Sequence, residues 1–160
     1  MAEPHDFFTV RGYQRLKKEE ALSASSEDYL EMIYRMAKSD GYARISALAR
    51  NLNVSASSAS KMTAALAEAE YIDYEKHGII QMTEKGTRFG EYLLWRHETL
   101  SKFFELLCGS NASFFSEVEQ MEHVFSADTV RRLSFLYDLL LPTEIPMKIE
   151  KMMSQTDKRP

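Results

Sequence analysis

Residues 45–66 read ISALARNLNVSASSASKMTAAL, and this stretch decides the fold. Apolar residues recur near its start at the spacing of a short amphipathic helix: Ile45, Leu48, Ala49 and Leu52. Asn53-Val54 is expected to form a turn, and Ser55 suits the N-cap of a further helix. The inward face of that helix is expected to hold Ala59, Met62 and Leu66. Two short helices joined by a tight turn are typical of a helix-turn-helix, which binds DNA.

Capping and turn residues extend this motif on both sides. A helix is expected to begin near Ser25 or Ser26, where a serine hydroxyl satisfies free amides, and to stop before Gly41. Beyond the motif, residues 71–74 and 79–82 read as two paired strands, which predicts a wing. The first half of the chain therefore predicts a winged helix-turn-helix.

The second half predicts helices only. The expected spans are residues 84–107, 113–123 and 128–140. Thr83 is placed to cap the first of these helices, and Pro142 ends the last. We expect the tail after Pro146 to be a loosely held helix or disordered, and Cys108 to fill space near a helix end, as buried free cysteines do.

Composition limits the class of protein. The 160 residues are 44% hydrophobic, which is ample for a packed core, and no apolar run approaches the roughly 20 residues needed to cross a bilayer. The first residues lack the basic start and apolar stretch of a secretion signal, so we expect a cytoplasmic protein. A single cysteine excludes an internal disulfide and a cysteine-based zinc cage.

Six potential metal ligands occur in an order that folding could gather into one pocket: Asp28, Glu31, His97, Glu119, Glu122 and His123. Residues three or four apart project from one face of a helix, so these ligands form a pair, a single histidine and a triad. An oxygen-rich set without thiolate favours manganese or ferrous iron over structural zinc. An ion held by both groups would fix the first helix against the distal half, and so act as a switch.

Each ligand also has a purely structural explanation. Asp28 lies in a Ser-Ser-Glu-Asp run that resembles a capping box, and Glu31 is placed to pair with Arg35 one turn later. His97 could be a partly buried histidine, and the distal carboxylates a solvated stripe. Their joint occurrence in a chain with four histidines favours the metal site. No second histidine follows His97 at zincin spacing, which excludes that class of protease.

The negative net charge of the chain affects both metal binding and DNA binding. A formal net charge of −4 argues against binding nucleic acid through a bulk positive field. The four carboxylates among the candidate ligands carry the same −4, so two divalent ions would add +4 and bring the total to zero. That change would remove a repulsion toward phosphate. The alternative is that mild acidity merely keeps an unrelated protein in solution.

The outward face of the predicted reading helix is small and polar: Ser57, Ser58, Ser60 and Lys61. Such side chains approach a groove closely and bond phosphate or base edges. Because that helix has no arginine, we expect modest base reading, with much of the affinity from phosphate contacts and duplex shape. Lys76 in the wing is expected to contact phosphate as well. The alternative is an ordinary solvated helix surface.

Apolar residues are dense in the distal half: Leu100, Phe103, Phe104, Leu107, Phe114, Phe115, Val118, Leu133, Phe135, Leu136 and Leu139. So much apolar surface on short helices predicts a dimer interface besides a core. A homodimer also suits a palindromic operator in double-stranded DNA.

Further motifs lie at specific positions, namely EDYLE at 27–31, GYAR at 41–44, YEK at 74–76, RHE at 96–98 and VEQMEH at 118–123. Together they closely resemble the manganese transport regulators, a branch of the diphtheria toxin repressor family. The similarity covers roughly residues 25–140. It implies a mainly α, dimeric repressor without catalytic activity, which binds operators of metal-uptake genes when loaded with manganese.

The resemblance also implies how the ligands divide between two ions. Asp28 and His123 belong to one ion, Glu31 and His97 belong to the other, and carboxylates bridge them. The iron-responsive branch is similar but has methionine and cysteine at the positions of Asp28 and Glu119. Hard oxygen at both positions favours Mn²⁺ over Fe²⁺.

The resemblance and the periodicity together predict four parts of the chain. These are an N-terminal arm over 1–22, a winged helix-turn-helix domain over 23–90, a helical metal-binding and dimerisation domain over 91–142, and a tail over 143–160. The sequence assigns no role to the arm, and it leaves the contacts of the wing with DNA undefined.

Three rival functions stay open on the sequence. The first is an iron- or zinc-responsive regulator of the same family. The second is a di-metal carboxylate enzyme on a helical bundle, although this would need two Glu-x-x-His motifs and the chain has none. The third is a helix-turn-helix protein that senses an organic ligand, for which the acidic cluster would be a solvated surface.

Overall fold

The computed structural model describes residues 22–74, 78–109 and 114–156, which are mainly helical. In chain order the elements are α1 (Ala24–Asp40), β1 (Ala43–Arg44), α2 (Ile45–Asn51), α3 (Ala56–Glu68), β2 (Ile72–Tyr74), β3 (Ile79–Met82), α4 (Glu84–Cys108), α5 (Phe114–Met121), a 3-10 turn (Glu122–Val124), α6 (Ala127–Leu140) and α7 (Ile145–Thr156). The arm expected over 1–22, apart from its last residue, and Lys76 of the wing lie outside the described residues.

Helix α1 begins earlier than predicted, because its N-cap is Ser23. The hydroxyl of Ser23 accepts a hydrogen bond from the backbone amide of Ser26 at 3.2 Å, so the expected start at Ser25 or Ser26 was slightly late. The helix ends where Gly41 adopts φ 84° and donates its amide to the carbonyl of Ala37. The capping role that Asp28 could have filled therefore belongs to Ser23.

Helices α2 and α3 form the predicted helix-turn-helix. The turn passes through Asn53 with φ 52°, and Ser55 caps α3 by accepting a hydrogen bond from the amide of Ser58 at 3.1 Å. On the inward face, Ala59 and Leu66 are buried and Met62 is partly buried. Thr63 is buried as well, because its hydroxyl donates to the carbonyl of Ala59 at 2.8 Å and is thereby satisfied.

The wing is part of a three-stranded antiparallel sheet of order β1-β3-β2. The predicted pair is present, with Ile72 opposite Met82, and β1 adds a strand by placing Ala43 opposite Ile80. Ile72, Ala43 and Ile80 are buried, so the sheet seals one side of the first core. The short β1 was not predicted, because two residues are too few for a visible alternation.

Two glycines let α4 pack directly against the first half. A Cβ on Gly90 would lie 2.7 Å from Cβ of Tyr34 in α1, and a Cβ on Gly86 would lie 1.8 Å from the carbonyl oxygen of Tyr71. Neither position tolerates a side chain without displacement. This close approach places the first turns of α4 against the middle of α1.

The distal half has a smaller core, made by Leu100, Phe114 and Val118 with partly buried neighbours. Helices α5 and α6 pack on α4, and the described part of the expected tail contains the helix α7. Cys108 is exposed, so the expectation that it fills space was wrong. None of the described helices is both long and apolar enough to span a membrane.

Candidate metal centre

All six predicted ligands lie around the junction of three segments. Helix α1 supplies Asp28 and Glu31, α4 supplies His97, and the end of α5 with the 3-10 turn supplies the remaining three. The 3-10 turn tightens the chain after Met121, so that Glu122 and His123 both face the junction. Residues more than 90 positions apart in sequence therefore share one site.

The first donor group contains Asp28, Glu122 and His123, whose ligand atoms all lie within 4.8 Å of one another. Nε2 of His123 lies 3.0 Å from Oδ1 of Asp28. The other ring nitrogen, Nδ1, lies 2.8 Å from Oε2 of Glu27. One histidine thus joins two carboxylates of α1 to the 3-10 turn.

The second donor group contains Glu31, His97 and Glu122, also within 4.8 Å of one another. Nδ1 of His97 lies 2.9 Å from Oε2 of Glu122. Glu122 therefore belongs to both groups, and only 2% of its surface is exposed. A buried carboxylate between two other donors is the central feature of the site.

Glu119 stands at the edge of this arrangement. Its carboxylate lies 3.5 Å from Nδ1 of His97, and 59% of its side chain is exposed. It is outside both close donor groups, but with Asp28, Glu31 and His97 it lines a pocket of about 220 Å³. The structure therefore brings five of the predicted ligands together tightly and leaves the sixth at the pocket rim.

Glu31 also makes the structural contact that its spacing allows. Its Oε1 accepts hydrogen bonds from Nη2 and Nε of Arg35, at 2.6 and 2.9 Å. The ion pair and the donor group use the same carboxylate, so the pairing does not remove Glu31 from the site. A metal ion that binds at this cluster would compete with Arg35 for the carboxylate of Glu31.

Two further charged residues at the junction were missed by sequence reasoning. Arg96 is 3% exposed, and its Nη2 lies 2.8 Å from Oε2 of Glu27 and 3.2 Å from Oε1 of Glu122. A signal existed, since Arg96 falls three residues after Leu93 and four before Leu100, on the buried stripe of α4. A charged residue on such a stripe requires buried partners of opposite charge.

The two neighbours of Nδ1 of His123 require different protonation states of this nitrogen. Oε2 of Glu27 at 2.8 Å needs a proton on this nitrogen, whereas Nη2 of Arg96 at 3.2 Å needs a lone pair. The shorter contact joins a ring to a carboxylate, and a donor hydrogen bond to a charged acceptor is the stronger kind. We therefore assign the proton to Nδ1, donated to Glu27.

The pKa values follow from these contacts. Hydrogen bonds to Asp28 and then Glu27 raise the pKa of His123 to about 9, and a hydrogen bond to Glu122 raises the pKa of His97. Burial opposes ionisation of Glu27 and Glu122, but the adjacent histidines and Arg96 outweigh it and lower both pKa values. At neutral pH the cluster is thus a network of carboxylates held by Arg96 and by a protonated His123.

The donor set fits a divalent cation. Metal–oxygen and metal–nitrogen bonds of about 2.0–2.6 Å place the ligands of one ion up to about 4–5 Å apart. The donor atoms of each group lie within 4.8 Å of one another, so each group matches that span. Carboxylate oxygens and imidazole nitrogens suit manganese, ferrous iron and zinc, whereas no thiolate is present among these donors.

The predicted DNA-reading residues lie on the outer side of α3. Ser57, Ser58 and Lys61 are exposed, and Ser60 is partly buried. The hydroxyl of the capping residue, Ser55, bonds those of Ser57 and Ser58 at 2.9 and 2.8 Å. The start of α3 therefore presents a compact group of hydroxyls.

Family models match both halves of the chain. The iron dependent repressor N-terminal DNA binding domain matches residues 21–79, and the iron dependent repressor metal binding and dimerisation domain matches residues 83–140. An HTH-type transcriptional regulator MntR from Oceanobacillus iheyensis is 36% identical over 136 residues, covering 84% of this chain and 92% of that protein. This chain belongs to the iron dependent repressor family.

Three further proteins are similar to this chain. The HTH-type transcriptional regulator MntR from Geobacillus kaustophilus is 39% identical, over 70% of this chain and 79% of that protein. The solved structure of the manganese regulator SloR is 26% identical, with a TM-score of 0.63 over 71% of this chain. The structure of IdeR from T. acidophilum, at 23% identity and a TM-score of 0.64 over 74% of this chain, shares the fold.

The chain spans just over half the length of those solved structures, 53% of SloR and 56% of IdeR. It spans most of the length of its MntR relatives. Family membership makes the protein a metal-dependent, DNA-binding transcriptional repressor with a dimerisation domain, and excludes the enzyme rival.

Proposed function

We propose that this protein is a manganese-activated repressor of metal-uptake genes, which acts in the cytoplasm as a homodimer on a palindromic operator. Each subunit holds two Mn²⁺ ions. Asp28, Glu122 and His123 ligate one ion, Glu31, His97 and Glu122 ligate the other, and Glu119 joins from the pocket rim. The observation that supports this most is the position of Glu122 in both donor groups.

The site lies where it can influence the DNA-reading helix. Helix α1 supplies ligands on one side and packs against α2 and α3 on the other. The opposing ligands lie on α4 and on the end of α5 with its 3-10 turn, and α4 and α5 carry the second core. Holding α1 against these elements therefore sets the position of α3 relative to the dimerisation helices.

Five carboxylates meet at this junction, while the cations around them, Arg35, Arg96 and the two histidines, carry at most four positive charges. When bound, divalent cations supply the remaining positive charge. If they favour the DNA-competent arrangement by the usual coupling of about 1–3 kcal/mol, operator affinity rises by about 5- to 150-fold.

The preference for manganese rests on the residues at two positions. Asp28 and Glu119 offer hard oxygen donors, and neither of the two close donor groups contains a cysteine. Mn²⁺ prefers a ligand set of carboxylate oxygens and imidazole to one that contains sulfur. The rival within the family is an iron- or zinc-responsive regulator, which would bind through the same residues.

DNA binding is assigned to α3 and the wing. Ser57, Ser58, Ser60 and Lys61 meet the major groove, and Lys76 of the wing contacts phosphate. Exposed hydroxyls on α3 support close approach to the duplex. The homodimer places two such helices on successive half-sites of the operator.

The experiment is a selection of genomic DNA fragments with purified full-length protein, followed by anisotropy titration of a selected fragment. Affinity is measured in chelator, in Mn²⁺, in anaerobic Fe²⁺ and in Zn²⁺, each at buffered free concentration. We expect Mn²⁺ to raise affinity at least fivefold at free concentrations near those in a cell. Activation by Fe²⁺ or Zn²⁺ alone would instead support the rival.

Glu122→Gln is the matched variant, because it keeps the shape of the side chain and removes its charge. We expect it to abolish the response to Mn²⁺. Glu117→Gln, on the exposed face of α5, is the control and should respond like the wild type. An operator affinity indifferent to every metal, or an intact response in Glu122→Gln, would refute the proposed switch.

A further inference from the structure

Glu27 and Arg96 form a buried ion pair beside the candidate metal ligands. Oε2 of Glu27 lies 2.8 Å from Nη2 of Arg96, and their side chains are 13% and 3% exposed. The pair joins residues 69 positions apart, so it forms only when α1 meets α4. The described residues offer no hydrogen-bond partner to Nε of Arg96.

Stability alone is a weak reason for such a pair. Removing two charges from water costs several kcal/mol per ion, and the mutual attraction often only balances that cost. Apolar residues of similar size would fill the same space between α1 and α4. The contacts of the pair with His123 and Glu122 indicate a different role.

Glu27 orients the ring of His123. Nδ1 of the ring lies 2.8 Å from Oε2 of Glu27, and Nε2 lies 3.0 Å from Oδ1 of Asp28. With its proton on Nδ1 donated to Glu27, the ring keeps Nε2 directed at the first donor group. A carboxylate behind a ligating histidine commonly fixes the tautomer and orientation of the ring.

Arg96 orients Glu122 in a comparable way. Its Nη2 lies 3.2 Å from Oε1 of Glu122, while Oε2 of the same carboxylate lies 2.9 Å from Nδ1 of His97. One oxygen is thus held by the guanidinium and the other faces the second donor group. The pair therefore touches a ligand of each group.

We propose that Glu27 and Arg96 are positioning residues for the metal site, Glu27 by holding Nδ1 of His123 and Arg96 by holding Glu27 and Oε1 of Glu122. This inference rests on the proposed function, since it assumes that the two donor groups bind Mn²⁺. It adds that the site is oriented by these two residues before any ion arrives, and that neither of them is a ligand.

The first test measures Mn²⁺ affinity by isothermal titration of the full chain. Removing the partner of a ligating histidine typically weakens metal binding about 10- to 100-fold. We expect that loss in Glu27→Ala and in Arg96→Gln, and a smaller loss in Glu27→Gln, whose carboxamide oxygen still accepts a hydrogen bond from Nδ1. Glu98→Ala and Arg88→Gln, both exposed on α4, are matched controls and should bind like the wild type.

The second test reads the imidazole of His123 directly. Long-range ¹H–¹⁵N spectra of histidine-labelled protein loaded with Cd²⁺, a diamagnetic ion, distinguish a protonated ring nitrogen from a metal-bound one. We expect a proton on Nδ1 in the wild type and in Glu27→Gln, and loss of this fixed state in Glu27→Ala. A residue that merely stabilised the fold would not alter this signature.

The outcomes separate the two proposals. A wild type that binds no Mn²⁺ overturns the proposed function, and this inference with it. A wild type that binds, with Glu27→Ala within twofold of Glu98→Ala and an unchanged spectrum, overturns this inference alone. Weakened binding in Glu27→Ala without any rescue of the spectrum by Glu27→Gln would also overturn it, since the role would then be structural.

Discussion

The winged half of the molecule closes an apolar core within one chain, whereas the distal half leaves much of its apolar surface open. Among the described residues, the first core holds eleven buried apolar residues and the second holds three. In the distal half, Phe115, Phe135 and Leu139 are 50%, 61% and 71% exposed. The difference shows that the first half is complete in one subunit, while the second needs a partner to cover it.

Leu66→Ala is expected to have the largest effect on this comparison. Leu66 is 1% exposed in the first core, so truncation leaves a cavity and lowers the free energy of unfolding by about 2–5 kcal/mol. Urea denaturation of the metal-free protein measures the loss. Lys61→Ala, exposed on the same helix, should change it by less than about 0.5 kcal/mol. Equal losses in the two variants would show that this core is not closed as described.

Leu139→Asp tests whether the exposed apolar surface of the distal half forms the dimer interface. A charge on this exposed face of α6 should weaken association by about 2 kcal/mol or more, roughly 30-fold, because it must be desolvated in the dimer. Sedimentation equilibrium measures the dissociation constant. Tyr74→Asp is the matched control, since Tyr74 is an exposed apolar residue of the winged half. A dimer equally weakened by both variants would place the interface elsewhere.

Gly90→Ala perturbs the contact between the two halves. The added Cβ would meet Tyr34 of α1 at 2.7 Å, so we expect a loss of about 1–3 kcal/mol in unfolding free energy. Displacement of α1 should also weaken Mn²⁺ binding, because Asp28 and Glu31 move with that helix. Differential scanning calorimetry and titration with Mn²⁺ test both effects. Glu91→Ala, exposed on the next position, should show neither.

The most gradual expected effect is the pH dependence of the metal-free protein, which changes no residue. Folding raises the pKa of His123 from its ordinary value near 6.5 to about 9, so the folded state binds the proton more tightly. That stabilisation is complete below pH 6.5 and is lost as the pH rises through 9. It changes by at most about 1.4 kcal/mol per pH unit.

Melting temperatures in chelator between pH 6.5 and 9 measure this loss, and His123→Gln should remove most of the slope. His97, whose pKa is also raised, accounts for a remainder of the same sign. Mn²⁺ affinity should change in the opposite direction and rise with pH, because ligation needs an unprotonated ring nitrogen. A slope that persists unchanged in His123→Gln would contradict the assignment.

Much of the fold was predictable from local signals. The inward faces of α2 and α3, the caps Ser55 and Thr83, and the stop at Gly41 all depend on residues a few positions apart. Helical spacing also predicted that Asp28 and Glu31 share a face of α1, but Glu122 and His123 face the junction through a 3-10 turn where the spacing predicted a continuing helix.

The missing parts depend on long-range contacts. Glu27 and Arg96 are 69 positions apart in sequence, and the residues next to either one do not predict that the two form an ion pair. The third strand of the sheet rests on the pairing of two residues of β1 with β3, which only the tertiary fold brings together. The rim position of Glu119 likewise depends on how α5 packs on α4, which spacing does not define.

Helix α4 extends without interruption through both halves and belongs to both cores, with Leu93 in the first and Leu100 in the second. At about 1.5 Å per residue its 25 residues form a rod some 37 Å long. Melting either end would expose the side chains that the other end packs against. The winged helix-turn-helix and the metal-binding half are therefore expected to unfold in one cooperative transition. Proteolysis within α4 should inactivate both halves together and release no functional fragment.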